Sequence, residues 1–332
     1  MAIPIIIGAV AIGTGIYGAI KGVGGAMDHS KAKDINADAR SMVDEANNDV
    51  EEKRQSTFNT LEKYGKRKIT AFDGVISDFI HTFGRLKNVE IVNTPELQNL
   101  GIHGFTSQSL SDLRQDYQAL KDAGLGLGAG LGGGAALAFG AYNGTMLLAA
   151  AGTGTAISSL SGVAATNATL AWLGGGTLAA GGGGMALGTM VLGGIVAGPA
   201  LAIFGHIMGN KGEEALNNAY SNLEQARTIR DQAKLTITKL EAISQVSTLA
   251  SEVFQKITIQ LRRSVDNLSE VISQEGSNYQ EFTPSAKKAA LESVKFAQLI
   301  KAMIDTPILD NDGNLVLSTK KKITDIQISL NS

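Results

Sequence analysis

The four histidines, His29, His81, His103 and His206, stand far apart, and none falls in an HExxH or other close pair. A zinc hydrolase needs two imidazoles one helical turn apart, so no catalytic metal site is expected. Gly22-Val23-Gly24-Gly25 beside Lys21 lacks the spacing of a phosphate loop, and Gly181 to Gly184 lack its lysine. No G-x-S-x-G elbow is present for a serine nucleophile. Asp310-x-Asp312-Gly313 matches the opening of a calcium loop without the bidentate Glu that closes one, so it reads as a turn. The chain is therefore expected to be no enzyme and to use no cofactor. Two basic runs, Lys66-Arg67-Lys68 and Lys320-Lys321-Lys322, carry charge for anionic head groups or form ordinary solvated faces.

A hydroxyl stripe is the remaining polar pattern. Thr155, Ser159, Gly162, Thr166 and Thr169 step by four, three, four and three, one face of a helix. Such a face lines a watery path, or bonds its hydroxyls to backbone and neighbouring helices. Trp172 beside it marks a membrane interface or a buried position.

These residues sit inside a segment of unusual composition. Between Asp122 and Lys211, 88 consecutive residues carry no Asp, Glu, Lys or Arg. Charged side chains are frequent on water-exposed surfaces, and a flexible glycine linker would be polar. About 20 helical residues cross a bilayer, so two or three crossings would fit, with candidate spans at Leu125 to Ala151 and Gly184 to Ile207. Each glycine costs a helix in water about 1 kcal/mol relative to alanine, whereas an unpaired backbone group in lipid costs several. Small residues four apart then permit close helix approach. Gly126, Gly130 and Gly134 form one such set. Ala136, Gly140 and Gly144 form a second, Gly184 and Gly188 a third, and Gly194 and Gly198 a fourth.

The rest of the chain divides on charge and glycine. Residues 1–27 form an apolar helix or anchor with Lys21 as its one charge, and no cleavable signal peptide is expected because nothing basic precedes Ile5. Residues 28–122 form a first helical arm. Ile35, Ala39, Met42, Ala46 and Val50 make one stripe, and Ile69, Phe72, Ile76, Phe79, Ile80 and Phe83 a second. Residues 123–210 are the glycine-rich head. Residues 211–282 form a second arm, free of Gly and Pro from Glu213 to Glu275, with a seam from Leu240 to Ile272. Residues 283–332 hold a helix after Pro284, a β-hairpin around Asp312-Gly313 and a basic tail.

The expected fold is thus all-α: an elongated helical bundle with coiled-coil arms, a glycine-rich transmembrane hairpin and a small C-terminal β-hairpin. Charge is nearly balanced, 29 basic against 31 acidic residues, which argues against nucleic acid as a partner. There is no cysteine, which excludes disulfides.

The order of helical arm, greasy glycine-rich head and long helical arm from Ser30 to Ile304 resembles α-helical pore-forming toxins. It also looks like the colicin-like hairpin of apolipoprotein L-type proteins. Thr153 to Gly162 and Ala168 to Gly176 are similar to a segment of bacterial glycine-rich membrane proteins. The resemblance implies a head that inserts into a bilayer and arms that carry subunit contacts. The function expected is a membrane-associated, homo-oligomeric bacterial protein that permeabilises or remodels a bilayer, seated in the cytoplasmic membrane. The alternative is a permanent membrane scaffold whose arms recruit helical protein partners without a pore.

Overall fold

The structure, a computed structural model, describes residues 25–89, 105–122, 133–141, 212–310 and 314–330. Seven α-helices lie among them: α1 (Gly25–Ala71), α2 (Ser77–Phe83), α3 (Ser107–Asp122), α4 (Gly133–Ala141), α5 (Gly212–Glu275), α6 (Pro284–Ile304) and α7 (Leu317–Ser329). A π-turn, Phe72–Ile76, joins α1 to α2 without leaving helical geometry. With 47 and 64 residues, α1 and α5 are about 70 and 95 Å long at 1.5 Å per residue.

The ends of the helices follow from local chemistry. α5 runs unbroken until Gly276, whose φ of 84° closes the helix in the left-handed region, its N–H bonding Ile272 O at 3.1 Å. Thr283 then caps α6 by accepting from Ala286 N, with Pro284 at the first helical position. Thr106 and Ser109 cap α3 reciprocally, each hydroxyl accepting the other's backbone N–H at 3.2 Å.

The apolar stripes decide the packing. Every member of the α5 seam, Leu240, Ile243, Ser247, Ala250, Phe254, Ile257, Leu261, Val265, Leu268 and Ile272, is buried, as are Ile69, Phe72, Ile76, Phe79, Ile80 and Phe83. They join α6 and Phe105 in one core that begins at Leu61 on α1 and Ile243 on α5. Nearer the helix starts, a small satellite core of Ala39, Val43, Ala226 and Ile229 lies between the same two helices.

Periodicity says nothing of direction, and here α1 and α5 run parallel. Asn222 Nδ2 donates to Asn36 Oδ1 at 2.9 Å, Thr57 Oγ1 to Leu240 O at 3.2 Å, and Arg67 Nη1 to Ser251 O at 2.9 Å. The sequence offset across these contacts stays between 183 and 186. A polar pair such as Asn36–Asn222 is the kind of contact that fixes coiled-coil register. α6 returns antiparallel, its Thr283 held by Glu275 and its Met303 and Ile304 reaching Tyr64 and Lys68.

Two expectations about the fold are corrected. Among the described residues no helix is long and apolar enough to cross a membrane. The long helices carry charge along their outer faces and spend their apolar seams on each other. Of the first candidate span, the described part is α4, nine residues against the ~20 a crossing needs. The second candidate span lies outside the described residues. Among the described residues no β-strand of the expected C-terminal hairpin forms. Among the described residues of this segment the pairing is a single isolated antiparallel bridge, Leu309 to Leu315. The N–H groups of Ile308 and Leu309 donate instead to Ala141 O, at 2.8 and 2.9 Å, and α7 begins at Leu317.

That bond locks α4, which crosses α1 backbone to backbone. A Cβ on Gly65 would overlap the Ala136 carbonyl, and one on Gly140 the Leu61 carbonyl. Neither neighbour is a flexible side-chain tip, so the helices themselves must separate. Gly140→Ala is expected to cost at least about 3 kcal/mol, above the usual range for overpacking. Urea denaturation measures this; an unchanged midpoint would show that the close crossing is absent.

Candidate functional site

The described region holds one concentration of buried charge, where α1, α3 and α6 meet. Tyr64 and Lys68 are one turn apart on α1 and both are essentially inaccessible. They fall on the seam because Leu61, Tyr64 and Lys68 step by three and four. The Tyr64 hydroxyl donates to Met303 O and Lys68 Nζ to Ile304 O, each at 3.3 Å. Those carbonyls end α6, where the helix dipole favours a cation. Lys68 Nζ also lies 4.5 Å from the centre of the Tyr64 ring. Phe254 meets that ring edge-on from α5.

Beside this pair Lys301 bridges two carboxylates, Asp305 at 2.9 Å and Asp116 of α3 at 3.0 Å. Burial drives Asp116 above the usual carboxylate range despite Lys301. Burial also works against the Lys301 ammonium, but Asp305 and Asp116 together outweigh it and hold its pKa above normal. Burial pushes Lys68 down from 10.5 to about 7, with Asp305 pulling the other way. The buried Tyr64 phenol is held far above its ordinary range.

A lysine that titrates near neutrality is a familiar general base or Schiff-base former. Here geometry assigns a different role. Lys68 is fully buried, and it lines neither of the two open grooves described below. What the arrangement does is clamp the C-terminal end of α6 onto α1 and α3 through one amine, one phenol and one ion-pair bridge.

The first groove, about 990 Å³, runs along α1 past Lys33, Arg40, Asp44, Glu45 and Asp49. The second, about 480 Å³, lies between α1, the π-turn and α5. Its lining includes Lys63, Lys66, Arg67, Val75, Phe254 and Arg262.

Of the residues predicted to pack spans, Gly134 and Gly140 lie in α4, and Gly140 packs on α1. Gly126, Gly130, Gly144, Gly184, Gly188, Gly194 and Gly198 lie outside the described residues, as do Thr155, Ser159, Thr166, Thr169 and Trp172. The run Lys66-Arg67-Lys68 is not one solvated face. At 100° per residue it fans out: Lys66 pairs with Glu62, Arg67 with Ser251, and Lys68 enters the core. Lys320, Lys321 and Lys322 are exposed on α7. His81 bonds Ser77 O through Nδ1, and among the described residues no cluster of three or more possible metal ligands occurs. The expected bilayer partner, cytoplasmic-membrane location and permeabilising or membrane-scaffolding role are not supported: among the described residues no helix is long and apolar enough to cross a membrane.

The Lys68 clamp gives stability a definite pH dependence. Its folded pKa, about 7, lies below the ordinary 10.5, so between those values the unfolded chain binds more protons. Stability therefore rises with pH through that window, by up to about 1.4 kcal/mol per unit. Tyr64 opposes the rise only where an unfolded phenol begins to ionise, near pH 10. Lys68→Met, similar in volume, is expected to flatten the slope of unfolding free energy between pH 7.5 and 9.5. Equal slopes in the two proteins would remove Lys68 as the cause.

No protein-family model, no curated protein and no solved structure matches this chain.

Proposed function

We propose that the protein is a non-enzymatic helical scaffold that holds two separate stretches of its own chain together at one end of a parallel helix pair, for engagement of another polypeptide. The constant register of α1 and α5 carries this reading. An offset of 183 to 186 from Asn36 to Ser251 means that both helices start at the same end. The chain entering α1 at Gly25 and the chain entering α5 at Gly212 are therefore neighbours. In sequence those two approaches are alike. Residues 1–24 contain Lys21 as their one charge, and the stretch from Asp122 to Lys211 contains none between its ends. Such uncharged, small and aliphatic composition favours contact with other apolar surface over contact with water.

The buried polar groups fit the same reading. Tyr64, Lys68, Asp116 and Lys301 fix helices to one another. Rigid mutual placement of helices is what a scaffold needs.

Photo-crosslinking residues at Lys31 and Asn218, both exposed near the shared end, test the reading against controls at the exposed Lys288 of α6 and Lys322 of α7. Crosslinks to other polypeptides in cells are expected to concentrate at the first two sites. They are expected to survive a matched deletion of residues 37–50 with 223–236, fourteen residues from each helix, which leaves both crosslinking sites in place and preserves register, and to fall at least fivefold when either block is deleted alone. Crosslinks confined to Lys288 and Lys322, or indifferent to register, would overturn the proposal.

A further inference from the structure

The outer face of α1 changes sign along its length. Asp34, Asp38, Glu45 and Glu52 are followed on the same face by Lys63 and Lys66, and all six are exposed. Their spacings are sums of threes and fours, so they keep one position relative to the buried seam. The positions between them hold Ser, Asn and Gln. The wider chain repeats the pattern. From Asp28 to Glu52 there are eight carboxylates and three Lys or Arg, and from Lys53 to Val75 there are six Lys or Arg and two carboxylates.

The basic half borders a groove of its own. Lys63 and Lys66 stand over the 480 Å³ groove, which gains Arg67 and Arg262 at its rim and has Val75 and Phe254 in its floor. Its one lining carboxylate, Glu62, pairs with Lys66 at 2.7 Å. Arg262 reaches Asp78 only at 3.9 Å, and Arg67 donates to Ser251. Ile259, on the same stretch of α5, is 45% exposed, a large apolar side chain beside a basic rim. Local pairs between exposed side chains contribute little, so this surface keeps its net positive charge.

We propose that two copies of this chain associate antiparallel along α1, the acidic half of each lying on the basic groove of the other. The occupant follows from charge complementarity. The only α1 face with a matching dense row of carboxylates is the one on the same helix, roughly 20 to 25 residues away, or about 35 Å. Antiparallel pairing about a two-fold axis near Glu52 brings Asp38 to the level of Lys66, and Glu45 to that of Asn59, one helical turn from Lys63. Both halves are then satisfied at once, and the contact closes as a dimer. Parallel pairing would set like charge on like. The pairing is independent of the scaffold reading: one is read as mass, the other as crosslinks to different polypeptides.

Sedimentation of the full chain in 50 mM and 500 mM NaCl tests it. A dimer is expected at low salt, with a dissociation constant at least tenfold weaker at high salt because exposed pairs are screened. Asp38→Lys with Glu45→Lys, and separately Lys63→Glu with Lys66→Glu, are each expected to give monomers with unchanged helix content. Mixed in equal amounts, the two variants carry a predominantly basic face (four Lys against Asp34 and Glu52) and a wholly acidic one, and are expected to pair with each other. A chain that is monomeric at 50 mM NaCl, a dimer that ignores either double variant, or variants that stay apart when mixed would each overturn the proposal.

Discussion

The structure depends on the burial of one long seam of α5 against α1 in a single parallel register. Ile243 to Ile272 on one side and Leu61 to Phe83 on the other place their apolar atoms in a common core. Burial of a Leu, Ile or Phe side chain stabilises by about 1.5–3 kcal/mol, and a slip of one helix by a residue would rotate that whole face by 100°. The register is therefore shared out over every turn. Polar contacts between Asn36 and Asn222, Thr57 and Leu240, and Arg67 and Ser251 select it without being its main source of stability.

That seam explains why the other elements lie where they do. α6 can return along the pair because Gly276 turns the chain back and Thr283 is tied to Glu275. Its end then meets Tyr64 and Lys68, the two polar side chains that the α1 seam carries into the core. A buried amine leaves α6 only one good seat, its own terminal carbonyls. The cost of placing Lys68 there appears as a depressed pKa. α4 uses a different means, the paired absence of Cβ at Gly65 and Gly140.

The helical arms were legible because glycine, proline and apolar spacing are local signals. The absence of both breakers from Glu213 to Glu275 and the seam from Leu240 to Ile272 specify α5 almost to the residue. Direction was not legible, since a stripe reads the same from either end. Lys68 was hidden by its neighbours: three adjacent basic residues read as a cluster, although the step from Leu61 through Tyr64 marked it as a seam position. The hairpin expected around Asp312-Gly313 reduces to one antiparallel bridge, Leu309 to Leu315, because Ala141 O takes the Ile308 N–H on one side and α7 begins at Leu317 on the other. Gly140 lies in the short α4 and meets Gly65 in α1, a partner that no spacing within the glycine-rich stretch reveals.

Parallel pairing has a consequence for how the chain is made. Residues that touch across α1 and α5 are separated by more than 180 positions. At 5–20 residues per second on a ribosome, α1 emerges about 10–40 s before the helix it must meet. Closing so long a loop is slow, and topologies dominated by distant contacts fold late. Throughout that interval Phe79 and Phe83 have Phe105 against their rings but not α5. The docking of α4 onto Gly65 through Gly140 offers nascent α1 a nearer partner, and a cell that makes this protein must guard its bare seam until translation passes Glu275.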